Sequence, residues 1–275
     1  MNWSVAALLR ATLPFLLLAV SPAFGGRFFV KKYLLKYGYL CSTDSQNCQI
    51  SKPDVRDGLK LLQRDLGLEP SGRPTKETLT FMRKPRCGNL PTFHKHRSKR
   101  FVPHRKKWNQ RVLLWELADP QGLLKPYDKY IVRNAMHRAF NKWALASRYS
   151  VSFREKPRNH PSPAAITIFF ARGYHNDSLP FDGRNGIVAH GFYPTDGNLH
   201  FDAAEKWTLN MAKGINLYQT AVHEIGHLLG LEHSTDYRAV MFPVNRPYDP
   251  KFRLSDDDVR GIRYLYAPWA WRYCE

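Results

Sequence analysis

The residues with the greatest chemical capacity lie in one short run, residues 222–233, as His223, Glu224, His227, Gly230 and His233. On a helix, His223 and His227 are a little over one turn apart, so both imidazoles leave the same face and can meet one ion. Glu224 adjoins the first of them and faces the water that such an ion activates, which is where a general base is needed. Gly230 permits a turn that no side chain obstructs, and the returning chain brings in His233 as a third nitrogen ligand. Three protein ligands leave a fourth position open, which separates catalytic from structural zinc. Two His on a helix are more often unliganded than not, but the extended HExxHxxGxxH form fixes five positions, and chance then explains little.

The elements that must carry these groups follow from periodicity. Residues 126–147 place Val132, Ala135, Met136, Ala139, Phe140 and Trp143 at helical spacing, an amphipathic helix with one buried face. Residues 112–117 and 165–170 read as strands, and 151–154 as a short one. Residues 254–265 read as a capped helix whose acidic first turn (Asp256, Asp257, Asp258) suits the macrodipole. Upstream, Val55, Leu59, Leu62 and Leu66 recur at helical spacing until Gly67 and Pro70 mark a stop, so residues 27–83 form a small helical domain. Residues 85–107 are rich in Pro, His, Lys and Arg, lack periodicity and read as a linker. There is no internal repeat and no low-complexity tract.

Compartment and processing are also legible. Residues 11–20 are apolar apart from Thr12 and Pro14, and the small residues Ser21, Ala23 and Gly25 follow. This reads as a signal peptide over residues 1–25; the alternative, a membrane anchor, needs roughly twice that apolar length. The expected mature protein is therefore secreted, without a stable membrane span. Arg97, Ser98, Lys99 and Arg100 form an RxKR quartet of the kind cut by furin-like convertases, here between Arg100 and Phe101. The alternative is a solvated charge run or heparin-binding patch. Four cysteines, Cys41, Cys48, Cys87 and Cys274, are too sparse for a disulfide scaffold. Cys41 and Cys48 could close a small loop. Cys274 is left free, cross-linking two chains, or marking an alternative or incomplete C-terminus.

The formal charge of +19 invites a nucleic-acid reading until it is divided along the chain. Residues 1–100 hold 18 basic and 6 acidic side chains, and residues 101–275 hold 24 and 17. Most of the excess belongs to the part expected to be cut away. A nucleic-acid partner is excluded on this basis, while weak heparan sulfate or matrix attachment is retained.

The HExxHxxGxxH run is followed eight residues after His233 by Met241, in Ala239, Val240, Met241, Phe242 and Pro243, and Ser234 directly follows the third His. These features resemble the metzincin clan and, within it, the matrix metalloproteinases, with Met241 matching the Met-turn. Tyr37, Gly38, Tyr39 and Leu40 look like the start of that family's propeptide, and Pro85, Arg86, Cys87 and Gly88 like its cysteine switch. The resemblance implies an α+β fold: a small helical propeptide domain (26–100) followed by a catalytic domain (101–267) with a twisted, mostly parallel five-stranded sheet and three helices, then a short tail (268–275). It implies a zinc endopeptidase made as a latent proenzyme that cleaves extracellular matrix or other secreted proteins. Cys87 would block the fourth zinc position, and Glu224 would act as general base.

Residue by residue, the resemblance further implies a second, structural zinc on His175, Asp177, His190 and His200. It implies at least one calcium ion on Asp182, Asp202 and Glu205 with carbonyls of Gly183, Asn185 and Ile187, oxygen donors of the kind calcium prefers. Substrate would lie extended beside residues 186–192, pairing with Val188 and Ala189, above a pocket whose floor involves Gln219. Tissue inhibitors of metalloproteinases are implied partners. The hemopexin-like domain of most members is expected to be absent, since nine residues follow Tyr266. One departure stands out: the switch is usually followed by two residues and an Asp, and here residue 91 is Pro. Arg86 is expected to lack its carboxylate partner and latency to be looser. The competing class is a heparan- or matrix-binding, metal-stabilised module with little protease activity.

Overall fold

The structure is a computed structural model that describes residues 22–40, 52–91, 103 and 106–266. The leader up to residue 21, the RxKR quartet with its Phe101 bond, the tail from 268, and Cys41, Cys48 and Cys274 lie outside the described residues.

The N-terminal segment is helical, as its periodicity predicts. Helix α1 (Pro22–Lys36) is followed by α2 (Lys52–Asp65) and α3 (Lys76–Met82). Val30, Tyr33, Leu34 and Tyr37 recur on one face from α1 into the turn after it, and they are buried with Leu59, Leu62 and Leu66. Their cluster does not close on itself. It continues into Ala171, Phe181, Ile187, Phe242 and Val244 of the later chain. Fully burying an apolar side chain contributes roughly 1.5–3 kcal/mol, so the segment is seated on the rest of the molecule by its own core.

The remainder contains β1 (Arg86–Cys87), β2 (Val112–Leu117), α4 (Pro126–Ala146), β3 (Ser152–Glu155), β4 (Ile166–Ala171), β5 (Ile187–Gly191), β6 (Asn198–Asp202), β7 (Trp207–Thr208), β8 (Ile215–Asn216), α5 (Leu217–Leu228) and α6 (Asp256–Tyr266). The main sheet has the order β1-β5-β6-β4-β2-β3. Every pair is parallel except β5 with β6. Alternation sets the inner face: Leu113 and Trp115 of β2 and Ile166 and Ile168 of β4 are fully buried. Helix α4 starts at Pro126, favoured at a first helical position, and Asp128 accepts from the Lys125 N–H at 3.2 Å. Its buried face packs on α5, where Trp143 Nε1 donates to the Val222 carbonyl at 2.8 Å.

The five strands β2–β6 and the helices α4–α6 match the expected architecture. The sixth strand does not, because β1 comes from the N-terminal segment. Residues 85–91 are therefore not a linker. Their lack of periodicity reflects a pairing partner about 100 residues away.

Candidate active site

Helix α5 carries the site. Asn216 caps its start by accepting the Gln219 N–H at 2.9 Å, and Gly230 ends it with φ +94. A Cβ at Gly230 would meet the Lys106 carbonyl oxygen at 2.8 Å. The chain thus turns there for two reasons, a backbone conformation that L side chains avoid and a close backbone approach. Gly191 of β5 is constrained similarly, since a Cβ would lie 2.8 Å from the Glu224 carbonyl oxygen. That contact sets how closely the strand approaches the helix. Gly230→Ala is expected to cost about 1–3 kcal/mol of stability and to lower zinc retention by displacing His233; thermal unfolding and metal analysis check both.

The turn delivers the three imidazoles to one point. The ligand atoms of Cys87, His223, His227 and His233 all lie within 4.8 Å of one another, and all four residues are buried. His223 Nδ1 lies 2.6 Å from the Val240 carbonyl, and His227 Nδ1 lies 2.7 Å from the Leu231 carbonyl. Donation through Nδ1 leaves each Nε2 lone pair facing inward, as metal-binding imidazoles require. Burial lowers His223 to about 4, so it is neutral near pH 7. Its Nε2 is buried without a hydrogen-bond partner. An orphaned imidazole nitrogen aimed at two others and a sulfur is a donor set that fits zinc.

Glu224 sits beside these ligands. Its Oε2 is 3.5 Å from Cys87 Sγ, which is itself 3.6 Å from His227 Nε2. Burial pushes the Glu224 carboxyl up to about 8, and burial together with Glu224 pushes the Cys87 thiol up as well. Cys87 is free and buried, in keeping with a switch role.

The switch segment is clamped between two strips of backbone. On one side the Arg86 N–H donates to Gly186 O at 3.0 Å and the Gly88 N–H to Ala189 O at 2.8 Å. On the other, the Cys87 N–H donates to Pro243 O at 3.1 Å and Asn245 N–H to Pro85 O at 2.9 Å. Asn89 adds a side-chain clasp: its Nδ2 donates to Gly191 O at 2.7 Å and its Oδ1 accepts from Gly191 N at 3.1 Å. This segment occupies the strand edge assigned to substrate, with Cys87 in register with Ala189. Val188 and Gln219 line the cavity beside His223 with Cys87, Val240 and Asn245. Gln219 shapes that cavity indirectly, because its amide is spent on the loop beyond: Nε2 donates to Pro247 O at 3.3 Å and Oε1 accepts Asp249 N at 2.6 Å.

Met241 lies beneath α5, where a Cβ on Gly226 would strike its Sδ at 2.2 Å. The turn is held by a residue that periodicity assigned only to the macrodipole. Asp258 accepts from the N–H groups of Val240 (2.8 Å) and Met241 (3.1 Å) and from Ser255, tying the start of α6 to the floor of the site. Asp257 likewise accepts from Ser234 Oγ at 2.6 Å.

The second predicted cluster also converges. His175, Asp177, His190 and His200 bring their donors within 4.8 Å of one another. Asp177 Oδ2 lies 2.8–2.9 Å from a ring nitrogen of each of the three His. Burial lowers His190 and brings His200 to about 4, leaving neutral ligands, while hydrogen bonds from His190 and from the Leu179 N–H hold Asp177 well below the usual carboxylate range despite its burial. This donor set too fits zinc. The calcium candidates gather around one loop: Asp182 accepts from Ile187 N at 2.8 Å, Asp202 from Gly183 N at 3.1 Å, and Glu205 from Asn185 N at 2.6 Å. Burial raises Asp202 and Glu205, and Asp182 is ion-paired to Lys36 of α1. These carboxylates do not form a third convergent donor group among the described residues.

Among the described residues no helix is long and apolar enough to cross a membrane. The sequence of residues 107–267 matches the model of the Matrixin family, and residues 27–82 match that of a putative peptidoglycan binding domain. The chain is 35% identical to human matrix metalloproteinase-16 over 258 residues, 88% of this chain and 42% of that protein. It is 37% identical to human matrix metalloproteinase-25 over 251 residues, 86% of this chain and 44% of that protein. It is also 37% identical to the Arabidopsis thaliana metalloendoproteinase 4-MMP over 252 residues, 86% of this chain and 71% of that protein. The chain thus spans less than half the length of these two human relatives. With the zinc-fitting triad, the carboxylate beside it and the sheet order already in place, these matches show that the chain belongs to the matrixin family.

Proposed function

We propose that this chain is a latent, secreted zinc endopeptidase that hydrolyses extracellular matrix or other secreted proteins once its N-terminal segment is removed. The observation that carries the reading is the convergence of His223, His227 and His233 with the Glu224 carboxylate alongside and Cys87 filling the remaining direction. A zinc ion held by the three imidazoles supplies Lewis acidity to a peptide carbonyl and to water. The chain's own part is positioning and proton transfer. The edge of β5 at Val188 and Ala189 takes up an extended peptide by main-chain hydrogen bonds once the switch segment leaves. The side chain after the cut enters the cavity between His223 and the loop fixed by Gln219. Glu224 removes a proton from water as its oxygen bonds to the carbonyl carbon, then delivers it to the amide nitrogen as the C–N bond breaks. The immediate products are a carboxylic acid and an amine, which become carboxylate and ammonium when the remaining proton passes from the acid to the amine, and Glu224 is regenerated.

On this reading a furin-like convertase opens the chain between Arg100 and Phe101. His175, Asp177, His190 and His200 hold a structural zinc, and Asp182, Asp202 and Glu205 with carbonyls of Gly183, Asn185 and Ile187 hold calcium. Tissue inhibitors of metalloproteinases and weak heparan sulfate attachment belong to the same proposal. The test is hydrolysis of a quenched-fluorescence peptide by the chain cut at Arg100. A chelator is expected to abolish turnover, zinc to restore it, and metal analysis to return two zinc ions per chain. Chelator-insensitive turnover would overturn the zinc mechanism, and no turnover at all with both zinc sites filled would favour the binding-module alternative.

A further inference from the structure

Arg86 is completely buried, yet none of the ion pairs among the described residues includes it. A buried guanidinium without a carboxylate is costly unless something else faces its charge. Here three tyrosines do. Its guanidinium carbon lies 4.4 Å from the ring centroid of Tyr37, 5.8 Å from Tyr39 and 6.0 Å from Tyr33. Nη1 donates to the Tyr33 hydroxyl at 3.0 Å, and the Tyr39 hydroxyl passes on to Asp65 at 3.1 Å. Burial raises Tyr37 and Tyr39 above the usual phenol range, so the rings face the cation as neutral π-systems and not as phenolates. The fourth link is to the switch itself, since Arg86 Nε donates to the Cys87 carbonyl at 3.3 Å.

We propose that Tyr33, Tyr37 and Tyr39 clamp the Arg86 guanidinium where a carboxylate would otherwise stand, and that this aromatic clamp positions Cys87 and so sets latency. The clamp makes up for Pro91 in the switch motif. It also joins the turn after α1 to the active site through one side chain, because a shift of Tyr37 reaches the Cys87 carbonyl through the guanidinium. These tyrosines are positioning residues, which act on the switch through their hold on Arg86. The attraction runs between the guanidinium charge and uncharged rings, so it follows the ring quadrupole, and burial of Arg86 limits its screening by salt.

The inference rests on the latent-zinc reading above. Its test uses the zinc-loaded, uncleaved chain, with Arg97→Ala and Arg100→Ala blocking processing, and reads the alkylation rate of Cys87 by mass spectrometry of its peptide. Tyr37→Phe keeps the π face and is expected to label within about twofold of the parent, whereas Tyr37→Leu is expected to label about tenfold faster. Phenylalanines of increasing fluorination at residue 37 hold size nearly constant and are expected to raise the rate stepwise. A flat fluorination series, or a Tyr37→Leu chain that labels like the parent, would overturn the clamp. Labelling of the parent as fast with zinc as without it would instead overturn the latency reading.

Discussion

Glu224→Gln, made in the chain cut at Arg100, is expected to lower kcat for peptide hydrolysis by about 10²–10⁴, the usual contribution of a positioned general base. The substitution preserves size and removes only the capacity to take a proton. Glu224 is fully buried, and its Oε1 has no hydrogen-bond partner among the described residues, so the carboxylate is not spent on the fold. Its other oxygen faces Cys87 Sγ at 3.5 Å, which marks where the reacting atoms sit once the switch has left. Because the three imidazoles are untouched, zinc content is expected to remain that of the parent. Steady-state kinetics with metal analysis separates the two effects, and an unchanged kcat would remove Glu224 from the mechanism.

Cys87→Ser in the uncleaved chain is expected to raise peptide hydrolysis by about a hundredfold. Four-ligand zinc sites bind with about 10–16 kcal/mol, so one ligand's share is roughly 3 kcal/mol, and 1.4 kcal/mol is a factor of ten. A serine hydroxyl does not ionise near neutrality and replaces little of that. Activation should nonetheless stay below that of the processed enzyme. The backbone pairing of residues 85–88, the Asn89 clasp on Gly191 and the shared apolar cluster still hold the segment on the substrate edge. A Cys87→Ser chain as silent as the parent would mean that occupancy of the cleft, and not the thiol, enforces latency.

What could be read from the sequence is what is local. The amphipathic helix expected over residues 126–147 is α4, Pro126–Ala146, and all six of its assigned core residues are buried. The zinc triad was legible because HExxH fixes helical geometry and Gly230 marks the turn. Contacts between distant residues were not. Asn89 meets Gly191 and Arg86 meets Tyr33 across separations of 102 and 53 residues, and no periodicity encodes either. The stretch around Cys87 reads as a linker for the same reason, since an added strand shows no pattern without its partner. In the sequence Asp257 and Asp258 suit the helix dipole, and in the structure they also hold Ser234 and the Met241 turn.

Zinc K-edge absorption on the proenzyme and on the chain cut at Arg100 tests the central claim most directly. With both sites filled, the proenzyme is expected to show one sulfur scatterer at about 2.3 Å shared over two zinc ions, and the cut chain to show none while keeping its imidazole shells. A proenzyme without zinc–sulfur scattering, or a sulfur shell that persists after the segment is gone, would contradict a latent centre built from His223, His227, His233 and Cys87.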